Sequence, residues 1–289
     1  MKKKLIVLGL IAAMTFSMVA CGEDKETSEN NHTVATDSNS VSENTTGNEE
    51  TTGSTDEAAD LLSEEYLLSL PETDPSQFEY EEIDGGIMIT HCWVESNAET
   101  IIVIPNQIDG KNVIKLDFEV FKWSTYKAVV LNENLIKICA SCFLSSKIDQ
   151  FVLREGLEVI GSKAFYLSNI TSINIPSTVK RIDEEAFGST NIKEVVIPKN
   201  VEEVEGYAFS LCSELETITF EGPCEVGYGA FTLCGNIKKV ICIDGNVAFD
   251  KIEFYTAANE PMDVTFVAPV GSKVEQYAKD NGFKFEALD

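Results

Sequence analysis

Six phenylalanines recur at an interval of 22 residues, and this repeat restricts the fold more than any other feature of the sequence. They are Phe121, Phe143, Phe165, Phe187, Phe209 and Phe231. Because only 16 of the 289 residues are phenylalanine, five successive equal intervals do not arise by chance. A fixed period of about 20–50 residues is typical of solenoids and other repeat arrays.

A second apolar pattern, of the type Leu-x-x-Leu-x-Leu, follows each phenylalanine at a similar interval. Its members are Tyr126/Val129/Leu131, Ile148/Phe151/Leu153, Ile170/Ile173/Ile175, Ile192/Val195/Ile197, Leu215/Ile218/Phe220 and Ile237/Val240/Cys242. The residues before the phenylalanines are mostly small: Val120, Cys142, Ala164, Ala186, Ala208 and Ala230. Since one unit buries too little apolar surface to fold alone, the units must stack. Stacking predicts a phenylalanine ladder with a rise of ~4.8 Å, beside an aliphatic ladder and an alanine column.

The motif of two successive units points to a known repeat. Residues 175–187 and 197–209 share Ile-Pro-x-x-Val-x-x-(Ile/Val)-x-x-x-Ala-Phe. This motif resembles the BspA-type leucine-rich repeat of bacterial surface proteins. The resemblance implies a β-rich solenoid, an array of about six coils of 22–23 residues over positions 117–243. It also implies an N-terminal β-hairpin cap and a C-terminal cap of helix and strand.

The flanking segments have the features of such caps. In residues 78–116, Asp-Gly-Gly at 84–86 and Asp-Gly at 109–110 predict β-hairpins. In residues 244–289, Ser272 and Glu275 form a capping box and Gly282 is a C-terminal stop. These signals predict a short helix across the last coil.

The N-terminal residues predict export and membrane attachment. Three lysines at positions 2–4 precede an apolar run that ends at Ala20, too short to span a bilayer but suited to a signal peptide over 1–20. Ala20 before Cys21 resembles a bacterial lipobox, which implies cleavage before Cys21 and acylation of that residue. The alternative is an ordinary secretory signal followed by a coincidental cysteine.

Two further segments separate Cys21 from the repeats. Residues 21–60 are acidic and poor in apolar side chains, so we expect the lipidated cysteine to be followed by a disordered acidic tether. Residues 61–77 contain an amphipathic stretch ahead of Pro71, which predicts a short helix. The sequence leaves open whether this helix docks on the repeats or stays loose.

The charge and the rare histidines exclude several functional classes. With 48 acidic and 22 basic side chains, the formal net charge is -26. This argues against nucleic-acid binding, which depends on basic side chains that neutralise phosphates. Only two histidines occur, so most histidine-based catalysis and multi-histidine metal sites are improbable.

The cysteines are the remaining candidates for chemistry. Cys139 and Cys142 form a C-x-x-C, but Cys142 falls in the alanine column, so we interpret the pair as structural. Cys212 and Cys234 lie at one repeat position in adjacent coils, which indicates a buried thiol column or, alternatively, a disulfide. Seven cysteines besides Cys21, an odd number, argue against a complete disulfide framework.

No other residues form a convincing catalytic or metal site. His91 and Cys92 are adjacent on a predicted strand and therefore point to opposite faces, so they cannot form a dyad with each other. The acidic clusters at 183–185 and 202–205 lack the ligand spacing of a dedicated calcium loop and are interpreted as solvated surface. We therefore predict no catalysis, no metal and no cofactor.

One outward column is the candidate partner surface, called here the strip. Between the last two inward residues of each Leu-x-x-Leu-x-Leu segment lie Val130, Val152, Asn174, Val196, Thr219 and Ile241, flanked by Ala128, Gln150, Ser172, Glu194, Thr217 and Lys239. β-Branched groups rimmed by polar ones suit partner contact. Alternatively, these residues are simply good strand formers. Trp123 and Tyr166 are further possible anchors on another face.

Together these features predict a monomeric, non-catalytic protein that is anchored to a membrane by lipid. By the family resemblance, its leucine-rich repeat surface would serve adhesion to an unidentified protein ligand of a host or a neighbouring cell. One alternative is an accessory envelope protein that recruits another protein of the same cell. Another is a carbohydrate-binding protein, which an exposed aromatic platform would favour, or a hydrolytic one, which carboxylates ~5–9.5 Å apart would favour.

Overall fold

The computed structural model describes residues 62–249, 254 and 261–288. The predicted signal peptide, Cys21 and the predicted tether lie outside these residues. The described elements are α1 (Glu64–Ser69), a 3₁₀ turn (Pro75–Gln77), β1 (Phe78–Ile83), β2 (Gly86–Cys92), β3 (Ile101–Val103), β4 (Gln107–Ile108), β5 (Lys111–Leu116), β6 (Thr125–Val130), β7 (Lys137–Ile138), β8 (Lys147–Val152), β9 (Val159–Ile160), β10 (Arg181–Ile182), β11 (Glu194–Ile197), β12 (Glu203–Val204), β13 (Thr217–Phe220), β14 (Glu225–Val226), β15 (Lys239–Cys242), β16 (Thr265–Ala268), α2 (Lys273–Asn281) and β17 (Lys284–Ala287).

The strands form parallel ladders along a β-solenoid of about nine turns. One ladder runs β2-β5-β7-β9-β10-β12-β14, with β1 antiparallel at its end. The other consists of β3-β6-β8 and β11-β13-β15-β16-β17. The predicted array of about six coils is present, and the solenoid extends beyond it, because β3 and β16 pair with repeat strands and β17 pairs with β16 although these strands lie outside the six phenylalanine repeats.

The phenylalanine ladder is confirmed. All six rings are at most 1% exposed, and successive centroids lie 5.1, 5.1, 5.1, 5.0 and 5.4 Å apart. Phe254 extends the stack at 6.1 Å from Phe231. The spacing is slightly larger than the ~4.8 Å between paired strands, as expected where flat rings stack in register.

The other inward positions also behave as the repeat predicts. The Leu-x-x-Leu-x-Leu residues are buried, except for Ile173, which is half-buried, and the residues that precede the phenylalanines are buried too. A further buried column, three residues after each phenylalanine, was not predicted as a set: Ser124, Ser146, Ser168, Thr190, Cys212 and Cys234. Two of its hydroxyls donate to phenylalanine carbonyls, Ser124 to Phe121 at 2.7 Å and Thr190 to Phe187 at 2.9 Å.

Left-handed residues flank every phenylalanine of the ladder. The positions two before and two after it have φ angles of 53–68°: Glu119, Ser141, Lys163, Glu185, Tyr207 and Gly229, and then Trp123, Ser145, Leu167, Ser189, Leu211 and Leu233. In the coils from Phe121 to Leu211, the amide of the phenylalanine and the amide two residues after it donate to carbonyls of the next coil. The amides of Phe121 and Trp123, for example, donate to Cys142 and Leu144 at 2.8 and 3.0 Å.

The predicted turns and caps are present. β1 and β2 form a hairpin around residues 84–85, and β4 and β5 form one around 109–110. At the other end, Ser272 Oγ accepts from the Glu275 amide at 3.1 Å and Gly282 ends α2 in the left-handed region. The N-terminal region is more than a cap, because β2, β3 and β5 join the parallel ladders.

Candidate partner-binding face

The strip lies on the face of the ladder that contains β6, β8, β11, β13 and β15, and α1 covers its N-terminal part. Leu67 of α1 is fully buried in a cluster with Ala128, Val130 and Val152. Val130 and Val152 are only 2% and 4% exposed. The expectation of an open surface is therefore wrong at these two positions: they point away from the solenoid core, but against a helix of the same chain.

Hydrogen bonds hold residues 62–73, called here the strap, across β3, β6 and β8. Gln150 Nε2 donates to the Leu62 carbonyl at 2.9 Å. The Thr73 amide donates to the Val103 carbonyl at 2.9 Å, and the Val103 amide returns a bond to Thr73 Oγ1 at 3.0 Å. The helix, whose position the sequence left open, is thus docked.

The rest of the strip is accessible and is called here the open face. Ser172, Asn174, Glu194 and Val196 are exposed, and Thr217, Thr219, Lys239 and Ile241 are half-buried. Val196 is 46% exposed, although it stands in the same column as the covered Val152. The strip is therefore divided into a covered part and an open part.

The two parts meet at a break in the ladder. Residues 171–175 are not in a strand, and β8 and β11, which flank them, are not paired to each other. In the described part of the chain, none of their amides donates a backbone hydrogen bond. Among the described residues, one backbone bond enters this segment from the next coil, from the Lys193 amide to the Thr171 carbonyl, and one reaches its edge, from the Asn191 amide to the Ile170 carbonyl. The open face thus begins at a locally loosened coil.

The cysteines of the C-x-x-C are in an environment that suppresses thiolate chemistry. Burial raises the pKa of Cys142 well above its ordinary value and also raises the pKa of Cys139. A reactive dithiol needs the opposite shift, so the environment of the pair agrees with a structural role.

The thiols of Cys212 and Cys234 lie one above the other, as the repeat position implies. Cys212 Sγ lies 3.2 Å from Thr190 Oγ1 and donates to the Phe187 carbonyl at 3.2 Å. Hydrogen bonding, chiefly with the Cys234 thiol, lowers the pKa of Cys212. Among the described cysteines neither of the two forms a disulfide, so the column consists of thiols.

The remaining candidates do not assemble a chemical site. The His91 ring lies 4.0 Å from that of Trp93, while burial raises the pKa of the Cys92 thiol. No three His, Cys, Asp or Glu side chains among the described residues are grouped to hold a metal ion. Within the same ranges, no helix has the length and apolar character needed to cross a bilayer.

The anchors predicted on another face differ from each other. Trp123 is 71% exposed, with Lys122 Nζ 4.3 Å from the centre of its ring. Tyr166 is half-buried, and its ring lies against Gly188, where a Cβ would meet a ring carbon at 2.8 Å. Two other exposed aromatics, Tyr207 and Tyr228, meet at 76° and do not form a single flat platform.

Sequence and structure comparisons agree on the repeat. Residues 114–238 match six copies of the family described as the BspA type leucine-rich repeat region. The coils in this range therefore match the BspA-type leucine-rich repeat. Such repeats are typically non-catalytic and occur in proteins that bind other proteins. A search of the curated proteins finds no match.

Solved structures support the same fold. A leucine-rich repeat protein from T. pallidum (TpLRR) is 23% identical with a TM-score of 0.56, over 75% of this chain and 98% of that one. One from Bacteroides ovatus is 21% identical with a TM-score of 0.50, over 67% and 58%. At these identities the comparisons show that this chain and the two solved structures share a fold. The binding partner of this chain is inferred below from its surface.

Proposed function

We propose that this protein is a non-catalytic, lipid-anchored cell-surface protein whose solenoid binds a protein ligand through the open face. The division of the strip carries this proposal. On the covered part, Val130 and Val152 already contact a short amphipathic helix, with Leu67 as its anchor. The open face continues the same column with Val196, Thr219 and Ile241 on paired strands, so it suits an apolar segment of another protein.

Features of the sequence support the proposed location and the proposed adhesion. The lipobox-like Ala20–Cys21 junction supports a lipid anchor, and the acidic residues 22–60 support a tether that holds the solenoid away from the membrane. The likeness to BspA-type surface repeats supports adhesion to a host or neighbouring-cell protein. Replacing Cys21 with Ser should release the protein from the membrane fraction. Persistence in that fraction would contradict the anchor.

The ligand surface is tested with paired variants. Val196→Glu with Thr219→Glu places two charges on the open face, whereas Ile136→Glu places one at a 41%-exposed site next to β7 in the other ladder. The wild type and both variants are assayed against immobilised host matrix proteins and against solubilised envelope proteins of the producing cell. We expect host-protein binding that the double variant loses and the control keeps, with unchanged circular dichroism. Binding that survives the double variant excludes the open face.

A second outcome identifies the accessory role. If the wild type captures only an envelope protein of its own cell, and the double variant loses that capture, the open face still binds protein. The function is then recruitment within one envelope, and adhesion is excluded.

A further inference from the structure

A second surface, remote in repeat position from the strip, consists of exposed apolar side chains in an unfavourable backbone conformation. At the position two residues after the ladder phenylalanine stand Trp123, Leu167, Leu211 and Leu233, which are 71%, 53%, 46% and 51% exposed. All four have φ angles of 59–61°. Gly or Asn fits this region best, and large side chains are strained in it. Strain combined with exposure indicates a role other than stability.

The backbone beneath these side chains is rigid. The amides at this position donate to the next coil in an unbroken series of five hydrogen bonds, 2.8–3.0 Å long, from Trp123 to Leu211. The buried phenylalanine stack lies two residues away on every coil. The side chains at this position therefore form a preorganised row, called here the ridge: Trp123, Ser145, Leu167, Ser189, Leu211 and Leu233.

Over the five coils from Trp123 to Leu211 the ridge alternates between large and small residues, and Leu233 in the next coil ends the alternation. Ser145 and Ser189 occupy the same position in the intervening coils, so Trp123, Leu167 and Leu211 each stand two coils apart. Two coils rise about 10 Å. One heptad of an α-helix rises ~10.5 Å. An apolar residue at every seventh position of a helix can therefore enter each serine gap in turn.

The charge of the ridge also restricts its partner. Its own column has no charged residue, and the adjacent column, one residue after the phenylalanine, has only Lys122: the others are Leu144, Tyr166, Gly188, Ser210 and Thr232. The chain as a whole carries -26. At long range this negative charge repels other copies of the chain and anionic lipid surfaces, and it attracts a partner that has basic residues on either side of its contact surface.

We propose that the ridge binds an amphipathic α-helix of a partner protein that has an apolar residue at every seventh position and basic residues on either side. Leu167 and Leu211 are the central contacts, and the gaps at Ser145 and Ser189 receive the side chains of the helix. This surface is distinct from the open face and operates independently of it.

The test uses the full chain carrying Cys21→Ser and two labelled helical peptides of about three heptads. Both contain three leucines and the same number of lysines, with the leucines seven positions apart in one peptide and five positions apart in the other. Fluorescence polarisation should show the heptad peptide binding about tenfold more tightly. Leu167→Ser with Leu211→Ser should remove that preference. Serine already occupies this position in adjacent coils, so the fold should persist, as circular dichroism will check.

Two controls make the result specific. Ser189→Leu should also weaken binding of the heptad peptide, because the leucine fills a gap of the ridge. Val196→Glu on the open face should leave binding of this peptide unchanged. Equal binding of the two peptides, or binding unaffected by the double serine variant, overturns the proposal. Self-association in sedimentation that depends on Leu167 and Leu211 would assign the ridge to a second copy. Flotation with phosphatidylcholine vesicles that depends on them would assign it to lipid, and either result overturns a helical partner.

Discussion

Replacing Leu67 with Ala should release the strap without unfolding the solenoid. Leu67 is fully buried against Ala128, Val130 and Val152, and truncating such a side chain costs about 2–3 kcal/mol. Because α1 contacts the ladder from outside, the loss should lower the free energy of a local opening and leave the phenylalanine core intact.

Hydrogen exchange measures this opening at one amide. The Val103 amide donates to Thr73 Oγ1 in the strap, so it exchanges when the strap lifts. A loss of 2–3 kcal/mol corresponds to exchange about 30- to 150-fold faster. The Phe187 amide, which donates to Ala208 inside the repeat array, should keep its protection.

A matched variant separates anchoring from helix propensity. Leu68 is adjacent on α1 and 40% exposed, so Leu68→Ala should leave the Val103 amide nearly unchanged. The reasoning is refuted if Leu67→Ala leaves exchange at Val103 unaltered, or if it accelerates Val103 and Phe187 equally, which would indicate global unfolding.

Three other predictions concern stability. Phe165→Ala should cost about 4–5 kcal/mol in urea unfolding, since the ring stacks at 5.1 Å on both Phe143 and Phe187; a cost below that of an exposed-site control would contradict the ladder as the core. Leu167→Gly should raise the free energy of unfolding by about 0.5–1 kcal/mol by relieving its φ of 59°, and a lower melting temperature would show that the leucine contributes to stability. Stability should fall as pH rises above the ordinary thiol value of 9.0, because burial raises the pKa of Cys224 to about 12 and also raises the pKa of Cys142 well above its ordinary value, so the unfolded chain loses these protons first. The slope is up to about 1.4 kcal/mol per pH unit and thiol; Cys142→Ala should reduce it, and urea midpoints that are equal at pH 8 and pH 10.5 would exclude the effect.

Local signals explain which parts of the fold could be predicted. A 22-residue period leaves few ways to bury the same side chain in each unit, so the stacking of Phe143 on Phe165 follows from spacing alone. The hairpin turns and the capping box at Ser272 are likewise short-range patterns. The end strands could not be counted, because β3 and β17 join the ladders through backbone pairing, which needs no repeat motif.

The candidate site was predicted less completely. The outward direction of Val130, Val152 and Val196 follows from strand alternation, but their exposure does not. The sequence contains a pattern that indicates the ridge, although only Trp123 of it is predicted as an anchor. Large apolar residues recur at one repeat position, two after the phenylalanine. Their left-handed conformation becomes visible only in the backbone of the stacked turns.

By itself the sequence determined the stacking unit and the inward side chains, because periodicity is a local property that survives whatever the chain contacts elsewhere. Only the tertiary structure decided which part of the strip is open. Leu67 covers Val152 from 85 positions away, and a contact between such distant residues depends on where the folded chain carries its own N-terminal helix.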